Sequence, residues 1–119
     1  MSEAIERRLN ELRDIARKYA KAEGERTRLE HFRRSQRAIL MKKYGRVLGD
    51  DNRPLYATTA AQEREAEADP EYIAVINGLA VATEEAERLR WELKIAELGA
   101  GVWQTQMANQ RAERRAYGA

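Results

Sequence analysis

Eight cations lie between Arg26 and Arg46 (Arg26, Arg28, Arg33, Arg34, Arg37, Lys42, Lys43 and Arg46) against one acid, Glu30. Guanidinium groups grip phosphate oxygens through two parallel hydrogen bonds, so such a run suits a polyanion. On a helix at 100° per residue, Arg26, Arg33, Arg37 and Tyr44 fall within about 40° of one another, with Arg34 beside them. This stripe is about 27 Å long and ends in a ring on which an unpaired base can stack. Leu29, Phe32, Ile39, Leu40 and Val47 occupy the adjoining arc and are expected to face the core. Arg111, Arg114 and Arg115, interleaved with Gln104, Gln106, Asn109 and Gln110, form a second polar-basic surface. The expected chemistry is phosphate binding through these residues and Lys42 and Lys43. The bland alternative is a solvated, charged helix face.

Groups for bond-breaking chemistry are scarce. The single histidine, His31, stands between Glu30 and Phe32 with no second histidine and no cysteine in the chain, which leaves no ligand set for a transition metal. Asp50-Asp51 precedes Asn52-Arg53-Pro54, without the glycine and glutamate of a calcium loop, and reads as a turn. Gly99 and Gly101 sit inside a helical repeat rather than in a phosphate-cradling loop. No catalytic residue, metal or cofactor is expected, and the chain is expected not to be an enzyme. The lack of cysteine suits a reducing compartment, the cytoplasm. Met1-Ser2-Glu3 opens no apolar stretch of a secretory signal, and no run approaches the roughly 18 apolar residues of a membrane span.

The elements that must position these residues are all helical. At 119 residues the chain has room for one domain, and 35% charged residues suit long solvated helices better than one thick core. No strand signal is present. A basic helix is expected over residues 1–48, with Ser2 as its N-cap and Ile5, Leu9, Leu12, Ala16 and Tyr19 on one stripe. A kink or short break is expected at Gly24. Residues 49–69 read as a turn followed by a short acidic helix from Ala60 to Ala68. From Gly49 to Arg90 ten acids oppose four bases, so this half is expected to serve another purpose than polyanion binding. Asp69-Pro70 then starts a helix over residues 70–117, with Asp69 as N-cap.

That last helix carries a heptad seam: Val75, Leu79, Ala82, Ala86, Leu89, Leu93, Ala96, Ala100, Trp103 and Met107 alternate in steps of four and three. The expected fold is a helical hairpin of two long helices with coiled-coil-like packing. Trp91, Ile95, Leu98 and Val102 form a second apolar face opposite the seam. One hairpin can cover only one of the two faces. Self-association is therefore expected, carried by Leu89, Trp91, Leu93, Ile95, Leu98, Val102, Trp103 and Met107. The competing expectation is that the N-terminal helix folds across the second face.

From Arg28 to Ala119 the chain resembles the UvsY-type phage recombination mediators. The likeness lies in a basic helix running from Arg28-Leu29-Glu30 through Arg37-Ala38 to Lys42-Lys43-Tyr44, a Gly49-Asp50-Asp51 turn and a short acidic segment. It continues in a restart at Ala68-Asp69 and a long final helix that ends in Trp103 through Tyr117 with a Gly118-Ala119 close. The resemblance implies a ring-forming homo-oligomer that binds single-stranded DNA and helps a RecA-type recombinase displace single-strand-binding protein. It places DNA contacts on Arg33, Arg34, Arg37, Lys42 and Lys43, and assembly on Leu89 to Met107. The chain departs from the family pattern at Ile39 and Leu40, where further basic residues would stand. The alternative, of another class, is a coiled-coil adaptor or inhibitor that binds only protein.

Overall fold

The computed structural model describes residues 3–118, so Ser2 as a helix cap lies outside the described residues. The protein is all-α: α1 (Glu3–Gly45), α2 (Thr59–Ala68) and α3 (Pro70–Gly118). Two compact units form, one from the residues up to Lys21 with those from Ala86 onward, the other from Ala22–Glu85. Both long helices contribute to each unit. No helix among the described residues is long and apolar enough to cross a membrane.

α1 begins with Glu3 and Glu6 and closes with Lys42 and Lys43, which places each sign of charge at the favourable end of the helix dipole. The helix runs through Gly24 without the short break that was one of the two expectations there, because one glycine costs only about 1 kcal/mol against more than forty residues of continuous helix. The covered positions also differ from expectation. Leu12, Ile15, Tyr19, Ala22, Arg26, Leu29, Arg33, Gln36 and Leu40 are buried or half-buried, in strict steps of three and four, whereas Leu9 and Ala16 are exposed. Three of these inward positions are polar. Phe32 and Ile39, expected in the core, are 48% and 60% exposed. Phe32 and Ile39 each fall one place before a covered position of this repeat, about 100° around the helix, and so stay open to solvent.

The helix ends at Gly45 rather than Leu48, and a tight turn follows. Leu48 and Pro54 form an isolated antiparallel bridge, flanked by a Gly49 N–H bond to the Arg53 carbonyl at 2.8 Å and a Leu55 N–H bond to the Val47 carbonyl at 2.9 Å. Asn52 takes the left-handed conformation at φ 62°, which asparagine tolerates better than most residues. Thr58 caps α2, its hydroxyl accepting from the Ala61 N–H at 3.1 Å. The short acidic helix is a packed element. Ala66 is fully buried and joins Leu40 and Tyr72 in the core of this unit, with Met41 and Ile76 packed against them.

α3 starts as expected at Asp69-Pro70: the Asp69 carboxylate accepts from the Glu71 N–H at 2.8 Å. All ten seam positions from Val75 to Met107 are buried or half-buried, Ala86 and Leu89 most completely. In the unit that holds the N-terminal part of α1, Ile5 lies with Trp103 and Met107, and the Arg8 guanidinium sits 5.5 Å from the Trp103 ring centre. In the other unit, Glu25 and Leu29 lie along Asn77 to Glu85, while Arg33 and Gln36 reach Tyr72 and Glu71, so the two chain directions oppose.

Candidate nucleic-acid interface

The basic segment of α1 divides into an inner and an outer face. The inner one carries Arg26, Arg33, Arg37 and Tyr44, and each is engaged. Arg26 bonds Glu23 one turn earlier, its Nε at 3.1 Å. Arg33 donates to Glu30 at 2.6 Å and to the Tyr72 hydroxyl at 3.4 Å. Its hydrogen bond holds the Glu30 carboxyl below the usual range. Arg37 is clasped between two carboxylates of α2, Glu63 and Glu67, the latter at 3.2 Å.

At the end of the stripe, the Tyr44 hydroxyl donates to Asp69 at 2.7 Å, and its ring meets Tyr56 edge-on at 5.7 Å. Asp69 is buried, with Lys43 Nζ at 3.7 Å. The hydrogen bond from Tyr44 chiefly, then the Glu71 N–H and the Lys43 charge, hold the Asp69 carboxyl below its ordinary value. The same bond pushes the Tyr44 phenol up to about 12. Tyr44 is thus a half-buried ring held at the end of α1 by Asp69 and Tyr56. Arg33 and Arg37 likewise do not stand on a free face. Ionic partners from α2, 26 and 30 residues away, already occupy Arg37.

The outer face is different. Arg34, Lys42 and Arg46 are exposed, and Arg28 is exposed beside Glu25, its neighbour on the helix. Arg28 and Lys42 fall within about 80° of Phe32 and Ile39 around the helix, with Ser35 among them, whereas Arg34, two residues from Phe32, lies about 160° away from it. Arg28 to Lys42 spans about 21 Å of helix. A flexible strand laid here would meet ammonium and guanidinium groups for its phosphates and an open aromatic ring for a base. Of the expected contacts, Lys42 belongs to this surface, and Arg34 is exposed on another side of the helix. Phe32, Arg28 and Arg46 were not among them. The signal for Phe32 was the strict alternation running from Leu12 to Leu40, which leaves position 32 outside.

The remaining expected residues fall in the other unit. Arg111, Arg114 and Arg115 are exposed on the last turns of α3, beyond the seam. Arg111 and Arg114, with Gln104 and Gln110, rim an open cavity of about 460 Å³ floored by Ile5, Trp103 and Met107. Of the residues expected to carry self-association, Leu89, Leu93, Trp103 and Met107 lie in the seam and are covered within the chain. Trp91, Ile95, Leu98 and Val102 are between 53% and 67% exposed, so α1 does not fold across them. Arg90 and Lys94 each lie 5.2 Å from the Trp91 ring centre and flank it with positive charge. Set beside protein-family models, curated proteins and solved structures, this chain matches none of them.

Proposed function

We propose that this protein binds single-stranded DNA without sequence preference, acts as a homo-oligomer, and helps load a RecA-type recombinase in place of single-strand-binding protein. The observation that carries the DNA-binding part is the outer face of α1, where Arg28 and Lys42 stand exposed on the same side as the open ring of Phe32, with Arg46 exposed just past the helix end. Phosphates neutralised by these cations supply the affinity, and stacking on Phe32 adds a contribution that any base can make. Trp91, Ile95, Leu98 and Val102 supply the surface for self-association. The recombinase and single-strand-binding protein enter through the likeness of the charged segments to the UvsY-type mediators, whose work lies in the host cytoplasm.

Titration against labelled oligo-dT at several salt concentrations tests this reading. Each phosphate neutralised on a single strand contributes about −0.7 to the slope of log affinity against log salt. Replacing Arg28 and Lys42 with Gln is expected to weaken binding and flatten the slope by about 1.4, two such contributions. Phe32→Ala is expected to cost about 1–3 kcal/mol with the slope unchanged. Absence of salt-dependent binding by the unaltered protein would overturn the proposal. It would favour a protein-binding adaptor, for which the occupation of Arg33, Arg37 and Lys43 by the chain's own oxygen atoms already speaks.

A further inference from the structure

α2 and the turn into α3 bring Glu63, Glu67, Asp69 and Glu71 against the inner stripe of α1, all within one unit. Glu63 and Glu67, one turn apart, both accept from Arg37. Asp69 receives Tyr44 at 2.7 Å and Lys43 at 3.7 Å, and Glu71 accepts from Gln36 at 3.0 Å. Donors that suit a phosphate strand by type and spacing are therefore matched by an acidic segment of the same chain.

The scaffold and the carboxylates differ in how firmly they are held. The α2 backbone is anchored by Ala66, fully buried against Leu40 and Tyr72. The side chains of Glu63 and Glu67 are 42% and 51% exposed where they meet Arg37. Ion pairs so open to water contribute little net stability. The carboxylates can swing into solvent while the helix stays docked, and one anion can replace another at Arg37 without unfolding.

We propose that α2 is a built-in polyanion mimic: Glu63 and Glu67 occupy Arg37 in competition with the phosphates of a nucleic-acid strand, masking a second binding track beside the outer face. This rests on the single-stranded-DNA reading above. The acidic half of the chain then has a defined purpose, which is to hold the affinity of the basic half below its intrinsic value.

Four proteins tested against oligo-dT over a range of salt decide the matter. Glu63→Gln with Glu67→Gln keeps an oxygen to accept from Arg37 while removing the competing charge. Its affinity is expected to rise about tenfold, with the salt slope steeper by about 0.7 for one added phosphate contact. Glu84→Gln with Glu97→Gln makes the same change in net charge at exposed positions away from Arg37 and is expected to give a much smaller gain. Adding Arg37→Gln to the first pair is expected to abolish the gain. Arg37→Gln alone is expected to leave affinity unchanged, and this variant does not depend on α2 tolerating substitution. A gain no larger than in the charge control, or a loss in Arg37→Gln alone, would overturn the mimic and leave binding by the outer face intact. Absence of binding in every protein would overturn both.

Discussion

Asp69 connects three tasks at one carboxylate. It caps α3 through the Glu71 N–H, anchors the Tyr44 hydroxyl and neutralises Lys43, all while buried. These partners favour its charged form, so its folded-state pKa lies below the unfolded one. The resulting stability is fully present above about pH 4, the unfolded carboxyl value, and is lost as the pH falls through the folded value. Tyr44 has the opposite sign. Its phenol is pushed up to about 12, so the stability it adds is complete below its ordinary value of 10.0 and is lost as the pH rises through about 12. Thermal melts followed by circular dichroism are expected to fall at both extremes. Tyr44→Phe is expected to remove its alkaline component and, by taking away the first partner of Asp69, to reduce the acid one.

At the level of elements, two glycines of α1 in similar helical surroundings have opposite roles. Gly24 lies in unbroken helix, and a Cβ added there would meet nothing within 4 Å. Gly24→Ala is expected to stabilise the protein by about 0.5–1 kcal/mol, as removal of a helix-interior glycine does. Gly45 ends the helix against α2, where an added Cβ would lie 3.1 Å from Gln62 Nε2. The Gln62 amide cannot give way freely, because it donates to the Tyr56 carbonyl at 3.0 Å. Gly45→Ala is expected to forgo the gain and lower the denaturant midpoint through loss of that bond. Chemical denaturation of the two variants side by side checks both expectations. The contrast shows how close contact with α2 sets the end of α1.

At the level of the whole molecule, each compact unit buries few apolar side chains. Only Leu40, Ala66, Tyr72, Ala86 and Leu89 are buried hydrophobic residues among those described. A chain with so little interior gains from a partner, and the face of Trp91, Ile95, Leu98 and Val102 is where apolar area is open to one. Ile95→Glu with Leu98→Glu is expected to convert an oligomer into a monomer in light scattering, with helical circular dichroism retained because neither residue belongs to the seam. An unaltered protein that is monomeric at micromolar concentration would refute assembly through this face.

The seam of α3 and its start were legible in the amino-acid order. Ten positions from Val75 to Met107 repeat at the helical period, and all are covered. Asp69-Pro70 carries its cap chemistry in two adjacent residue types. The second apolar face of α3 was legible for the same reason, since side chains opposite a filled seam must point elsewhere. In α1 the apolar residues were a poor guide, because Arg26, Arg33 and Gln36 occupy inward positions while Phe32 and Ile39 point out. Arg26 and Arg33 pair with Glu23 and Glu30 one turn earlier in α1, a local spacing, but tertiary structure alone decided the long-range pairings. Arg37 finds Glu63 and Glu67, and Tyr44 finds Asp69, only because burial of Ala66 against Leu40 docks α2 on that side of α1. Charge type follows from the residue, but the pairing of charges far apart in the chain follows from where the apolar contacts bring them together.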